Sequence, residues 1–224
     1  MAVADLDYNI RMVSPERLDA LQQRWVRLLA PWGVTAADAY PTFDRLTEAY
    51  SRPPRVYHTL EHLAEVFRVA GRLGGGPVVE LAVWFHDAVY DPRAADNESR
   101  SADLLADWLA PLGLPAAVLD RAAVLVRSTA HLSADTTPAD ADVLVLRDAD
   151  LAILGAAESR YRRYAADIRR EYAHVPDADY RRGRAAVLDA FLARPAIYHH
   201  PVMRAEGEAA ARRNLLTERT ELLG

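Results

Sequence analysis

Residues 81–90, LAVWFHDAVY, are the stretch that decides the fold. Aliphatic and aromatic side chains dominate it, and it contains neither Gly nor Pro. We therefore predict that it lies in the core as part of a helix that follows Pro77. His86 and Asp87 stand in its middle, and burying an imidazole and a carboxylate is costly unless each finds a partner of opposite charge or a metal ion. The doublet thus predicts either a metal site or a buried His–Asp hydrogen bond.

The composition narrows the class of protein. The chain has 224 residues, of which 51% are hydrophobic, and this is enough for one large domain covering residues 1–224. A net charge of -5 argues against a long nucleic acid as partner but leaves small phosphorylated ligands open. The absence of Cys excludes disulfides, thiolate metal sites and Cys nucleophiles. No targeting segment or membrane-spanning run stands out, so we expect a cytoplasmic protein that does not associate with membranes.

Helical periodicity extends along the whole chain. The only rival strand signal is VLVLR at residues 143–147, and it runs directly into DADL, which is more typical of a helix. The prediction is an all-α fold, a single globular helical bundle with additional C-terminal helices. In one of these C-terminal helices, basic residues alternate with Asp167 and Glu171, a pattern that favours a solvated face.

A second group of polar residues is the pair His58 and His62. Both lie in VYHTLEHLAEVFRVAGRL, residues 56–73, which we predict to be a helix, so that the spacing of four places them on one face. Zincin metalloproteases share this spacing but require Glu directly after the first His, and Thr59 stands there. A zincin is therefore excluded.

A third polar feature is the sequence RDADL at residues 147–151. Side chains two positions apart on a helix point about 200° apart, so only one of Asp148 and Asp150 can face a given metal. The residues alone leave open which of the two it is.

Together these three stretches resemble the HD superfamily of metal-dependent phosphohydrolases, whose signature is a His, a His-Asp doublet and a distant Asp. The match covers about residues 55–155, and YHTLEHL, WFHDAVYD, NESRSA and DADLAILG are similar to a bacterial branch of predicted HD phosphohydrolases. The resemblance implies a divalent metal ion (Mn, Fe, Co, Ni, Zn or Mg) and the ligands His62, His86, Asp87 and Asp150.

The segment from Tyr57 to His62 also resembles cyclic-nucleotide phosphodiesterases, in which the earlier His protonates the leaving group. On that resemblance the catalytic residues are His58, as the acid, and Asp87. The phosphodiesterase pattern has an Asn after the first His and a further His beyond the doublet, whereas this chain has Thr59 and Asp91 there.

The expected function is hydrolysis of a nucleotide or another small phosphate ester by a metal-activated water. Arg55, His131 and Glu98 are the candidate substrate-binding residues, and we expect a cleft over the metal that is lined by His58, His131 and at least one Arg and opens near residues 133–141. Two alternatives remain open: a di-iron oxygenase on the HD scaffold, and a non-catalytic nucleotide-sensing module.

Overall fold

The computed structural model describes residues 13–130 and 140–224, and all regular secondary structure in these two ranges is helical. The prediction of an all-α fold is confirmed. The α-helices are α1 (Pro15–Leu29), α2 (Ala36–Ser51), α3 (Leu60–Arg72), α4 (Pro77–Phe85), α5 (Asn97–Leu109), α6 (Ala116–Arg127), α7 (Ala141–Asp150), α8 (Glu158–Glu171), α9 (Asp177–Leu192) and α10 (Pro201–Leu223). Short 3-10 segments extend α1, α5 and α7. None of the helices in these ranges is both long and apolar enough to cross a bilayer.

The central element is α4, which packs against α1, α3, α5, α6 and α7. Its Trp84 is fully buried, and the indole lies 5.3 Å from Trp25 and 4.8 Å from Phe67, measured between ring centroids. The Tyr50 hydroxyl donates a 3.1 Å hydrogen bond to the carbonyl oxygen of Trp84. One hydrophobic core runs from Leu21 in α1 to Leu215 in α10 and therefore joins the C-terminal helices to the rest of the bundle.

The helix that holds the deciding stretch is shorter than predicted, because α4 ends at Phe85 and the His86–Asp87 doublet lies in the turn that follows. Two contacts explain why the helix ends there. The Arg55 guanidinium binds the carbonyl oxygens of Asp87 and Ala88, at 2.7 and 3.0 Å. Because Arg55 satisfies these two carbonyl oxygens, they need no hydrogen bond from a further helical turn. The chain therefore leaves the helix at the doublet, whose side chains face α3 and α7.

The prediction that His58 and His62 share a helical face was wrong. The helix α3 begins at Leu60, and Thr59 is its N-cap, with a side chain that accepts a hydrogen bond from Glu61 N at 3.3 Å. A residue that caps a helix has extended backbone, so the chain before it leaves the helix axis. His58 therefore lies in a loop, while His62 lies in the first turn of α3.

The C-terminal helices are joined by a buried ion pair. Arg184 in α9 binds Glu218 in α10 with two hydrogen bonds, of 2.8 and 3.0 Å, and both side chains are about nine-tenths buried. Tyr161 in α8 donates its hydroxyl to the same carboxylate. The three helices thus share one polar contact inside an otherwise apolar interface.

We expect Glu218→Ala to lower the free energy of unfolding by about 3 kcal/mol, because it leaves the buried Arg184 guanidinium without its counter-charge. Urea unfolding followed by circular dichroism measures this change. Glu221→Ala, on the same helix, is the matched control, since Glu221 forms only an exposed pair with Arg162 and is expected to contribute less than about 1 kcal/mol. Equal effects of the two substitutions would contradict the prediction.

Candidate metal centre

Four polar side chains from three parts of the chain converge at one end of α4. His62 comes from the first turn of α3, His86 and Asp87 follow the end of α4, and Asp150 is the last residue of α7. Helix packing explains why they meet, since α3 and α7 both contact α4 and each other. The histidines are almost fully buried, and the carboxylates are mostly buried.

The spacing of their donor atoms is that of ligands around one ion. His62 Nε2 lies 3.1 Å from His86 Nε2, 3.1 Å from Asp150 Oδ1 and 3.7 Å from Asp87 Oδ2. His86 Nε2 lies 3.3 Å from Asp87 Oδ2 and 3.5 Å from Asp150 Oδ1. Metal–ligand bonds of about 2.1 Å place neighbouring ligand atoms about 3.0 Å apart in an octahedron and about 3.4 Å apart in a tetrahedron. His62, His86 and Asp87 could therefore hold a divalent metal ion, and Asp150 Oδ1 lies within 3.5 Å of both histidines.

The orientation of His86 is set by its own helix. Its Nδ1 lies 2.9 Å from the carbonyl oxygen of Val83. A carbonyl oxygen only accepts, so Nδ1 carries a proton, and Nε2 is the nitrogen that faces His62, Asp87 and Asp150 and would bind an ion once its own proton is lost. Metal-binding histidines are commonly held in this way, with the second ring nitrogen donating to a carbonyl.

The charge of the group favours a cation. Burial lowers the pKa of His62 and also opposes protonation of His86, but the carboxylates of Asp87 and Asp150 outweigh burial and raise the pKa of His86 well above its usual value. Burial works against ionisation of Asp87, yet His86 and His58 hold the pKa of Asp87 below its usual range. The carboxylates of Asp87 and Asp150 that favour the proton on His86 would also attract a divalent ion, and binding of the ion would displace that proton.

Of the two aspartates in the last turn of α7, Asp150 faces the histidines and Asp148 does not. Asp148 is fully buried on another side of the helix, where its carboxylate accepts hydrogen bonds from the backbone N–H groups of His199 (2.9 Å) and His200 (2.6 Å). Burial nevertheless raises its pKa to about 6. Asp148 thus fixes the segment before α10 and has no place in the metal centre.

His58 lies beside this group, with its ring centroid 5.7 Å from that of His62. Its Nδ1 is 2.7 Å from Oε2 of Glu171, the last residue of α8. Burial opposes protonation of His58, but Glu171 and Asp87 outweigh it and raise its pKa. Burial opposes ionisation of Glu171, but the contact with His58 and the hydrogen bonds from Tyr90 and Val56 lower its pKa to about 2.

Glu171 is a site residue that sequence reasoning missed. The expectation of a solvated face was wrong for it, because Glu171 is only 1% exposed. The available signal was weak: a carboxylate in the last turn of a helix is unfavourable for the helix dipole, so Glu171 needs a compensating partner.

Arg55 lies close to the site, but most of its guanidinium is already engaged. It donates to the backbone carbonyl of His58 at 2.9 Å and to those of Asp87 and Ala88. In this arrangement Arg55 ties the His58 loop to the doublet. Its binding of a phosphate group stays a prediction. The N–H group of Nε and one N–H of Nη1 make none of these three hydrogen bonds and could serve for such a contact.

The other two predicted substrate-binding residues contribute less to the described site. Glu98 is half-buried in the first turn of α5, where its charge contributes to raising the pKa of Tyr172. It does not belong to the group of ligand atoms around His62, His86 and Asp87. His131 lies outside the described residues, as do residues 133–139 of the predicted cleft.

A cavity of about 630 Å³ borders His62 on the side of α1 and α8. Its walls include the rings of Tyr57 and Tyr164 and three basic side chains, those of Arg17, Arg160 and Arg163. Arg17 pairs with Glu61, and Arg160 pairs with Glu65 at 3.0 Å. Arg163 has no ion pair with any residue in the described ranges and remains available to an anion.

No family model matches the chain, and comparisons with curated proteins and with solved structures likewise give no match. The function must therefore be argued from the geometry of the site.

Proposed function

We propose that the chain is a cytoplasmic, metal-dependent phosphohydrolase of the HD superfamily that acts on a nucleotide or another small phosphate ester. The observation that carries this proposal is the convergence of His62, His86, Asp87 and Asp150, in which the two histidine Nε2 atoms lie 3.1–3.7 Å from each other and from the carboxylate oxygens. A divalent ion bound there would polarise the phosphoryl group and lower the pKa of a water molecule.

His58 is the proposed general acid. Glu171 occupies its Nδ1, so Nε2 is the nitrogen that is free to give a proton to the leaving oxygen. The raised pKa of His58 supports this role, because it favours the protonated ring that a general acid needs. The ring of His58 lies 5.7 Å from that of His62, one of the proposed ligands, and this proximity supports a role for His58 as the acid beside a metal-bound phosphoryl group.

The cavity beside His62 supports a small organic phosphate as the substrate. Its volume of about 630 Å³ lies within the usual range for sites that bind small molecules. Tyr57 and Tyr164 offer aromatic surface, and Arg163 offers a positive charge in a protein whose net charge is -5. Such a local positive group is needed to hold an anion against the overall charge.

The test is metal analysis followed by a phosphate-release screen. We expect one divalent ion per chain after loading with Mn, Co, Ni or Mg, and release of phosphate from some members of a panel of nucleotides and simple esters. Removal of the ion by a chelator should abolish release and lower the melting temperature. At a free metal concentration a hundred times Kd, binding stabilises the fold by about 2.7 kcal/mol, or about 5–10 °C for a chain of this size.

Two other outcomes would replace the proposal. A protein that binds a metal and nucleotides but releases no phosphate would favour the nucleotide-sensing module. Two iron ions per chain, together with oxygen consumption, would favour the oxygenase.

A further inference from the structure

Glu171 lies outside the 55–155 stretch that carries the HD-like pattern, yet it is built into the surroundings of His58. Its two carboxylate oxygens have different partners. Oε1 accepts hydrogen bonds from three successive backbone N–H groups, those of Val56 (2.7 Å), Tyr57 (2.8 Å) and His58 (3.0 Å). Oε2 faces side chains only, His58 Nδ1 at 2.7 Å and the Tyr90 hydroxyl at 2.6 Å.

Three successive N–H groups that point at one oxygen form a concave anion site in the backbone. Oε1 fills it and so fixes the path of the chain through residues 56–58. Anchoring the loop requires only this oxygen. Oε2 has a separate effect, since a carboxylate next to Nδ1 requires the proton to be on that nitrogen.

The ring of His58 is also held on both sides. Tyr90 lies against it at a centroid distance of 4.5 Å and an angle of 32°, and Tyr57 meets it edge-on at 5.0 Å. Since the Tyr90 hydroxyl donates to the same Oε2, the Glu171 carboxylate positions both the His58 ring and the Tyr90 ring that lies against it. Rotation of the ring would break the bond to Glu171.

We propose that Glu171 is a positioning residue, which fixes the tautomer and orientation of His58 so that Nε2 delivers the proton to the leaving oxygen. This inference rests on the proposed phosphohydrolase function. As the P–O bond breaks, the leaving oxygen keeps its electron pair and takes the Nε2 proton of His58. The attacking water forms the new P–O bond, retains one proton and releases the other to solvent. His58 is left neutral, with its Nδ1 proton still bonded to Glu171.

The substitution that tests this role is Glu171→Gln. The amide oxygen can still accept from the three backbone N–H groups, but its NH2 group then faces His58 and requires Nδ1 to be an acceptor. The readout is the rate with 4-nitrophenyl and with alkyl esters of phosphate, because 4-nitrophenolate leaves without a proton whereas an alkoxide needs one. We expect Glu171→Gln to lose at least about tenfold more rate with the alkyl ester than with the 4-nitrophenyl ester, at unchanged metal content.

Three comparisons complete the kinetic test. Glu158→Gln removes an exposed carboxylate from the same helix and should leave both rates unchanged. In a His58→Ala background, Glu171→Gln should have no further effect on the preference between the esters. If Glu171→Gln does not fold, Tyr90→Phe is the substitute, since it removes one of the five hydrogen-bond donors to the Glu171 carboxylate and keeps the other four. We then expect a smaller loss of rate, again greater with the alkyl ester than with the 4-nitrophenyl ester. Equal losses with both esters, or no loss, would overturn the inference.

A spectroscopic measurement separates this inference from the proposed function. Nitrogen NMR of the neutral imidazole, assigned by the signal that His58→Ala removes, reports which ring nitrogen carries the proton. We expect Nδ1–H in the wild-type protein and Nε2–H in Glu171→Gln. If the metal-loaded wild type hydrolyses neither ester, the phosphohydrolase proposal fails while the NMR result still decides the positioning. An Nδ1–H signal that persists in Glu171→Gln would overturn the positioning role.

Discussion

Asp150→Asn is expected to reduce the bound metal from one ion per chain to a trace and to lower phosphate release by more than about a hundredfold. Asp150 Oδ1 lies 3.1 Å from His62 Nε2 and 3.5 Å from His86 Nε2, which makes it the fourth ligand of the proposed metal site. An amide keeps the shape but loses the charge that neutralises a divalent cation, and metal affinity depends on ionised ligands. Elemental analysis of the purified variant and the phosphate-release assay measure the two effects.

The matched control lies two residues earlier. Asp148→Asn removes a charge from the same helix, but Asp148 faces the backbone of His199 and His200. We expect this variant to retain its metal and to lose about 1–3 kcal/mol of stability, because the amide loses the charge that strengthens these bonds and places a buried NH2 group where the second carboxylate oxygen stood. The prediction fails if Asp148→Asn loses the metal while Asp150→Asn keeps it.

The sequence predicted the all-α fold, and it also indicated the residues that converge. The helical spacing of apolar residues can be recognised within a single segment, so it predicts helices without knowledge of the tertiary contacts. The apolar residues around His86 likewise predict burial, whichever helices pack against them. A polar doublet in such a stretch needs a partner, which is why His86 and Asp87 stood out. The choice between Asp148 and Asp150 came from resemblance, because both lie in the same apolar context and only packing against α10 distinguishes them.

What the sequence could not predict depends on contacts between distant residues. Glu171 stands 113 positions from His58 and among Arg residues, a composition typical of an exposed face. The start of α3 was placed too early because the apolar pattern continues through Val56 and does not reveal that Thr59 caps the helix. The position of Arg55 just before the first motif predicts a phosphate clamp, whereas its carbonyl partners, Asp87 and Ala88, lie in a turn after α4 that the sequence does not reveal.

His58→Ala is the second substitution with a large expected effect, a loss of at least about a hundredfold in the rate of phosphate release with alkyl esters. The metal content should be unchanged, because the Nδ1 of His58 is bonded to Glu171 and its ring lies beside the four proposed ligands without being one of them. Steady-state rates and elemental analysis of the same preparation test the two statements together.

His62→Ala provides the contrast, since its Nε2 is within 3.1 Å of both His86 and Asp150 and its loss should remove the ion as well as the activity. Added imidazole should restore part of the rate of His58→Ala, because a free imidazolium can enter the space left by the ring and supply the missing proton. It should not restore His62→Ala, where the metal is lost. If His58→Ala loses its metal as well, His58 is a ligand, and the proton for the leaving oxygen must come from another group.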